Sequence, residues 1–280
     1  MIIEWLRTDF GLSIADLEPV VGGADAAAEV WRAQADDGTG YAVKWSAGGS
    51  TAALVLSDRL GLSGVPRPLR TITGELWSDR DGRRLSVLPW VPGQNGWQRP
   101  LTNEGWQAYG ALLAAVHHSS VDPGQLPVEE YDHAPFARQL ADTEYRDHEL
   151  LRELLRHADG LAGDLRARRP PLVPCHADPH LGNLLADGTA VSLIDWDDAV
   201  LAPRERDLMF VLGFEDFTAE QRDRFFTGYG PAAVDRPALA YYLCVRAVQD
   251  VAELASNTAD ILSPTGFARR ALASAEACRS

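Results

Sequence analysis

Residues 175–185 read CHADPHLGNLL, and residues 193–198 read LIDWDD. Asp178 and Asn183 stand five positions apart with a proline and a glycine between them, a composition typical of a loop rather than a helix. The apolar hairpin that follows ends at Asp195. Because a short strand–turn–strand unit brings its two ends together, we expect these three polar side chains to converge on one point.

The converging side chains carry oxygen ligands. Asn and Asp oxygens are typical ligands of Mg²⁺, which keeps bound waters and shares the oxygens of phosphate groups. If Asn183 and Asp195 hold the cation, the carboxylate of Asp178 is free to orient a nucleophile. The order His-x-Asp-x-x-x-x-Asn, then a hairpin, then Asp is the layout of protein kinases.

Lys44 is the one lysine among the 26 Lys and Arg residues of the chain. A compact ammonium on a thin stem fits a tight site that excludes the broad guanidinium fork of arginine. The lysine lies in a predicted strand, residues 41–45, on the opposite face from Val43. Chance survival of a single lysine is the alternative explanation.

The pattern of the first ninety residues predicts short strands and one helix. The strands are predicted at residues 29–33, 41–45, 69–71 and 85–90, with a turn at 79–82 and the helix at 51–60. After Pro92-Gly93 the periodicity becomes helical. Helices are predicted from Thr102 to Val116 and from Phe136 to His157, with a β-hairpin at 184–194.

This change of pattern predicts an α+β architecture with two lobes. The smaller lobe, residues 1–91, is antiparallel β, and the larger lobe, residues 92–280, is mostly helical. The cleft between two such lobes is the expected ligand site.

Composition narrows the class of protein. The net charge of −14 would repel a nucleic-acid backbone and suits a cationic small molecule, although solubility alone also accounts for it. Cys175, Cys244 and Cys278 are too few for a disulfide framework, so we expect a cytoplasmic protein. No apolar run approaches the ~20 residues of a bilayer span. We therefore expect neither a nucleic-acid nor a membrane partner.

The motif His176-Ala-Asp178-Pro-His180-Leu-Gly-Asn183, together with Asp195-Trp-Asp197, resembles the aminoglycoside phosphotransferase and choline kinase-like family. Residues 195–210 are most similar to spectinomycin phosphotransferases. The resemblance covers nearly the whole chain. It implies a protein-kinase-like bilobal fold and transfer of the γ-phosphate of ATP to a hydroxyl of an aminoglycoside or aminocyclitol, which inactivates the antibiotic.

The resemblance also implies a role for each matching position. Asp178 is the expected catalytic carboxylate, Asn183 and Asp195 hold Mg²⁺, and Lys44 contacts the α- and β-phosphates of ATP. The implied phosphate turn is residues 21–24, with Gly22 and Gly23. The implied adenine-facing hinge consists of Pro89, Trp90 and Val91.

Two features depart from the family pattern. The strand lysine usually pairs with a Glu on the following helix, but no Glu lies between Lys44 and residue 74, where Asp58 is the only acid. Either Asp58 substitutes for that Glu, or phosphate alone holds Lys44. The phosphate turn has Gly22-Gly23 but no further glycine before Trp31.

Other functions remain open at this point. A metal-dependent hydrolase could use His176, Asp178 and His180 with Cys175. It would leave Asn183, Asp195 and Lys44 without a role. A protein that binds nucleotide without turnover is a third possibility. In the kinase interpretation both histidines order the loop, and the acceptor could instead be choline, homoserine or another aminoglycoside.

Several residues outside the motif have two interpretations. Asp197 either lies near the site or caps the next segment. Trp97 either forms an aromatic wall of the substrate site or, as we expect, packs in a core or interface. Asp250 either meets a substrate ammonium or, as we expect, lies on a solvated face. Asp207 is expected to bind the backbone of the catalytic loop, and His117 to be a cation at a helix C-terminus.

Overall fold

The structure is a computed structural model that describes residues 1–20, 28–48, 50–214, 217–253 and 258–278. Strands in its first part form one antiparallel sheet in the order β1-β2-β3-β5-β4. They are β1 Ile14–Pro19, β2 Ala28–Ala35, β3 Gly40–Ser46, β4 Ser78–Arg80 and β5 Arg83–Pro89. The predicted strands at 29–33, 41–45 and 85–90 are therefore confirmed, as is the turn between β4 and β5.

The predicted strand at 69–71 is wrong. The Leu69 N–H donates to the Val87 carbonyl at 2.8 Å, but the Thr71 N–H then donates to the Glu75 carbonyl at 2.8 Å. The segment thus leaves the edge of the sheet and turns before a ladder develops.

Two helices, α1 Ile2–Phe10 and α2 Thr51–Leu60, accompany the sheet. The predicted helix at 51–60 is confirmed, with Ser50 as its N-cap. Helix α1 was not predicted. Its Ile2, Leu6 and Phe10, spaced four apart on one face, are buried with Val43 and other apolar side chains of the sheet.

The second part of the chain is mostly helical. Its helices are α3 Asn103–His117, α4 Ala134–Ala141, α5 Glu149–Arg168, α6 Glu205–Met209, α7 Ala219–Tyr229, α8 Arg236–Glu253, α9 Thr258–Ile261 and α10 Phe267–Glu276. Its short strands are β6 Gln94–Asn95, β7 Val173–Cys175, β8 Leu184–Asp187, β9 Ala190–Leu193 and β10 Val200–Ala202. Within the described ranges, no helix has the length and apolarity that crossing a membrane requires.

The single helix predicted at 136–157 is two helices, α4 and α5. The Thr143 hydroxyl donates to the Leu140 carbonyl at 2.8 Å and accepts from the Tyr145 N–H at 3.2 Å. A side chain that bonds the local backbone in this way competes with the helical hydrogen bonds and ends α4. The helix predicted from Thr102 to Val116 is confirmed as α3, and Thr102 is its N-cap, since its side chain accepts from the Gly105 N–H.

Helices α3 and α7 approach each other so closely that only glycine fits at two positions. A Cβ on Gly228 would collide with the Gln107 carbonyl, and a Cβ on Gly110 would collide with the Phe225 carbonyl. This contact fixes the middle of α3 against the C-terminal half of α7.

We predict opposite effects for two helical Gly→Ala substitutions. Gly228→Ala should lower the free energy of unfolding by about 1–3 kcal/mol, because its methyl group overpacks the α3–α7 contact. Gly163→Ala in α5, where a Cβ meets no atom within 4 Å, should raise it by roughly 0.5–1 kcal/mol through helix propensity. Urea denaturation of both variants measures the difference, and equal stability would contradict the packing described.

Candidate active site

The loop at residues 176–183 is held by the carboxylate of Asp207. Its Oδ2 accepts from the His176 N–H at 2.9 Å, and its Oδ1 accepts from the Ala177 N–H at 2.7 Å. Ala177 has a φ of 71°, a left-handed conformation that costs about 1–2 kcal/mol for a residue with a Cβ. Two charge-assisted hydrogen bonds to a fully buried carboxylate offset that cost. Asp207 therefore binds the loop backbone, as predicted.

A second pair of side chains holds Asp207 itself. His117 Nε2 lies 3.0 Å from Asp207 Oδ2, and His117 Nδ1 lies 2.7 Å from the Tyr229 hydroxyl. His117 ends α3, as predicted, but its imidazole is buried and contacts Asp207 and Tyr229. These two contacts hold Asp207 in position and thereby help to fix the loop at residues 176–183.

Ile194 joins this loop to Asp195. The Ile194 N–H donates to the Asn183 carbonyl at 2.9 Å, and the Ile194 carbonyl lies 2.9 Å from His176 Nε2. The side-chain amide of Asn183 donates to the Asp178 carbonyl at 3.0 Å and to Asp178 Oδ2 at 3.2 Å. The hydrogen bonds thus link the three polar residues of the motif into one unit.

Lys44 reaches the same unit from strand β3. Its Nζ lies 2.9 Å from Asp195 Oδ1 and 2.9 Å from Asp197 Oδ2. Burial opposes the charge of the ammonium, but the two carboxylates outweigh it and raise the pKa of Lys44 above its ordinary value. The lysine is therefore charged and pinned to the loop after β9.

Asp58 does not take the place of the missing helix acid. Its carboxylate is bound instead by Arg67, at 2.7 Å, and by Arg70. Lys44 has carboxylate partners within the protein, so the second alternative, phosphate alone, is also wrong. Asp197 lies in the site.

Arg246 of helix α8 contacts the predicted catalytic carboxylate. Its Nη1 donates to Asp178 Oδ1 at 2.6 Å, and its Nε lies 2.7 Å from Asp250 Oδ1. The centroids of the Phe210 and Phe214 rings lie 5.1 and 5.0 Å from its guanidinium carbon. Two carboxylates and two aromatic faces therefore fix this cation beside Asp178.

The surroundings of Asp178 keep it ionised. Burial would raise its pKa, but the hydrogen bond from His180 and the charge of Arg246 bring the pKa well below its ordinary value. On the other side of Arg246, burial raises the pKa of Asp250 to about 6, against the pull of the guanidinium. The prediction that Asp250 lies on a solvated face is wrong, since it is 4% exposed.

Sequence reasoning missed Arg246. A signal was available, because the residue interrupts the apolar run of α8 and has an acid four positions later, where a helix brings the two side chains together.

An exposed aromatic side chain stands next to the loop. Trp97 is 60% exposed and stacks on His180, with ring centroids 4.6 Å apart and planes inclined by 13°. His180 Nε2 in turn lies 3.3 Å from Asp178 Oδ2. Gly182 permits this, because a Cβ there would collide with the Trp97 ring. The expectation that Trp97 packs in a core is wrong.

The residues predicted to hold a cation fit a hard divalent ion. The amide nitrogen of Asn183 is engaged with Asp178, which leaves its oxygen as the atom that can ligate. The Asp195 side chain is 49% exposed, so its carboxylate is accessible. Both donors are oxygens, the ligand type that Mg²⁺ prefers.

The hydrolase ligand set does not assemble. His176 uses Nε2 toward the Ile194 carbonyl, and its Nδ1 lies 3.3 Å from the Asp178 N–H. In the described part of the chain, the His/Cys/Asp/Glu group whose atoms are close enough for one ion is His117, Cys175 and Asp207, which is fully buried. Two of these three side chains already hold the loop.

The predicted hinge follows strand β5. The Trp90 N–H donates to the Gly40 carbonyl of β3 at 2.9 Å. The Val87 carbonyl accepts from the Leu69 N–H on the opposite side of β5, away from β3. Because backbone groups alternate along a strand, the carbonyl of Pro89, the last residue of β5, faces that opposite side. The predicted phosphate turn with Gly22 and Gly23 lies outside the described residues.

A small antiparallel β lobe, a mostly helical second lobe and the motif cluster beside them define a protein with a kinase-like fold. Residues 24–242 match the model of the phosphotransferase enzyme family, which is most of the chain. The chain belongs to that family and is a phosphotransferase. No curated protein sequence matches it significantly.

Solved structures give the same fold over the whole length. A spectinomycin phosphotransferase with ADP and spectinomycin is 26% identical, with a TM-score of 0.79 over 98% of this chain and 97% of that one. An aminoglycoside phosphotransferase with AMP-PNP and hygromycin B is 16% identical, with a TM-score of 0.70 over 99% and 97%. A choline kinase from Streptococcus pneumoniae is 14% identical, with a TM-score of 0.67 over 99% and 98%.

We predict that Arg246→Met destabilises the protein. The substitution keeps the bulk of the side chain but leaves the carboxylates of Asp178 and Asp250 without their counter-charge, which should cost about 3 kcal/mol of unfolding free energy. Arg152→Met, on the exposed face of α5, should change it by less than about 0.5 kcal/mol. Urea denaturation compares the two, and coincident curves would contradict this electrostatic role.

Proposed function

We propose that this protein transfers the γ-phosphate of ATP to a hydroxyl of an aminocyclitol or aminoglycoside antibiotic, with a spectinomycin-like compound as acceptor. Inactivation of the antibiotic is the consequence. The observation that carries the proposal is the joining of Lys44, Asp178, Asn183 and Asp195 into one hydrogen-bonded and ion-paired cluster.

Asp178 is the proposed catalytic residue. One of its carboxylate oxygens is bound by Arg246 and the other faces Asn183 and His180, so its orientation is fixed. It accepts a hydrogen bond from the acceptor hydroxyl and aims the hydroxyl oxygen at the γ-phosphorus. The hydroxyl proton passes to Asp178 as the new P–O bond forms and ADP leaves with the bridging oxygen. Fixing this geometry in advance is the larger part of the catalysis.

Lys44, Asn183 and Asp195 are proposed to handle the phosphates. The ammonium of Lys44 contacts the α- and β-phosphates, and the oxygens of Asn183 and Asp195 hold Mg²⁺. When bound, the cation supplies positive charge that offsets the charge of the phosphate oxygens during transfer. We place the adenine edge against the Pro89 carbonyl and the Val91 N–H, next to Trp90, with Gly22 and Gly23 over the phosphates.

The substrate class rests on three supports. Of the solved structures described above, that of spectinomycin phosphotransferase has the highest sequence identity to this chain, 26%. The exposed face of Trp97 beside His180 offers a flat apolar platform for a saturated ring. The net charge of −14 attracts an aminated compound.

We also propose a domain organisation and a cellular compartment for the protein. Residues 1–91 form the nucleotide lobe, and residues 92–280 form the catalytic and substrate lobe. The cytoplasm, where ATP is supplied, is the proposed compartment. Cys175 and Cys244 are buried free thiols, which suits a reducing environment.

The test is ADP release and acceptor phosphorylation by the purified protein with ATP and Mg²⁺. Spectinomycin should support turnover. Asp178→Asn should lower kcat by about 100-fold to 10,000-fold, the usual contribution of a positioned proton acceptor. Asp187→Asn, at an exposed acid of the β8–β9 hairpin, is the matched control and should leave kcat unchanged.

Two results would contradict the proposal. Near-wild-type turnover by Asp178→Asn would remove the catalytic role. Turnover with choline or homoserine but with neither spectinomycin nor hygromycin B would keep the kinase and replace the acceptor class.

A further inference from the structure

Helix α2 presents no acid to the lysine of strand β3. Its inward residues Ala52, Ala53 and Leu56 are packed in an apolar cluster that also contains Leu113 and Leu193 of the second lobe. Its one acid, Asp58, is occupied by arginines. An ammonium that must point at phosphates therefore needs an anchor from another element.

We infer that Asp197 is that anchor: a positioning residue whose carboxylate, carried on the same loop as Asp195, holds the Lys44 ammonium in place of a helix acid. The inference rests on the proposed function, because it assigns Lys44 to the phosphates. It concerns a residue to which the proposed mechanism gives no role.

The two carboxylates that bind Lys44 differ in their surroundings. Asp195 has a side chain 49% exposed, whereas that of Asp197 is 22% exposed. Arg84, a buried residue of strand β5, lies 3.6 Å from the same Asp197 oxygen that Lys44 contacts. Two cations of the sheet thus lie next to Asp197, and Lys44 is the nearer one.

Because of this difference, the two acids have different roles in the inference. The exposed carboxylate of Asp195 is free to turn toward a cation, and Lys44 then keeps Asp197 as its partner. Trp196, between them, is buried, and its indole N–H donates to the Leu193 carbonyl at 2.8 Å. Both acids therefore flank a residue that is fixed in the interior, and the same turn holds the lysine partner and the proposed cation ligand.

The single lysine of the chain makes a direct test possible. An acylating reagent modifies Lys44 and the N-terminal amine only, and peptide mass spectrometry separates the two. Labelling is measured without nucleotide in EDTA, and with ATP and Mg²⁺, for the wild-type protein, Asp197→Asn, Asp197→Glu and Asp58→Asn. Melting temperatures confirm that each protein is folded at the labelling temperature.

We expect Asp197→Asn to label at Lys44 about tenfold faster without nucleotide, a factor that corresponds to about 1.4 kcal/mol. Asp58→Asn should label at the wild-type rate, and Asp197→Glu should restore most of the protection. Steady-state kinetics should show kcat reduced about tenfold in Asp197→Asn, with the KM for ATP changed far less, because the substitution removes an anchor and also a charge that repels phosphate. The Mg²⁺ concentration for half-maximal rate should not move.

The inference is overturned if Asp197→Asn labels and turns over like the wild type, or if its chief defect is a raised Mg²⁺ requirement, which would make Asp197 a cation ligand. A failure of the proposed function gives a different result. In that case ATP does not protect Lys44 from labelling in the wild-type protein.

Discussion

The ion pair between Lys44 and the loop that carries Asp195 and Asp197 joins residues 151 positions apart in sequence. A partly buried ammonium is stable only where carboxylates compensate its lost hydration. Strand β3 must therefore stand where the β8–β9 hairpin ends. The sheet, the apolar cluster under helix α2 and the hairpin together place Lys44 next to this loop. The proposed nucleotide site lies beside the ion pair.

A second constraint fixes the other half of the site. The loop around Asp178 contains a left-handed alanine, and it keeps that shape because buried Asp207 binds two successive N–H groups. His117 of α3 contacts Asp207, and Tyr229 of α7 contacts the other nitrogen of His117. Helix packing far from any ligand thus determines the position of the proposed catalytic carboxylate.

The sequence predicted the lobes and the motif cluster because both depend on local signals. A switch from alternating to helical periodicity marks the lobes, and the short hairpin brings Asp178, Asn183 and Asp195 together by chain geometry alone. Arg246 and the hydrogen bonds of His117 were not predicted, because they depend on which helices pack together and not on local sequence. The family pattern places the carboxylate partner of Lys44 on α2, whereas in the structure Lys44 contacts Asp195 and Asp197 on the loop after β9.

The most direct test of the central claim follows the phosphoryl group itself. ATP labelled at its γ-phosphorus is incubated with the protein, Mg²⁺ and spectinomycin, and the label is located after a single turnover. The account predicts that the label is attached to a hydroxyl oxygen of the acceptor, in an amount equal to the ADP formed. Label found as inorganic phosphate whether or not an acceptor is present, or bound to the protein, would contradict it.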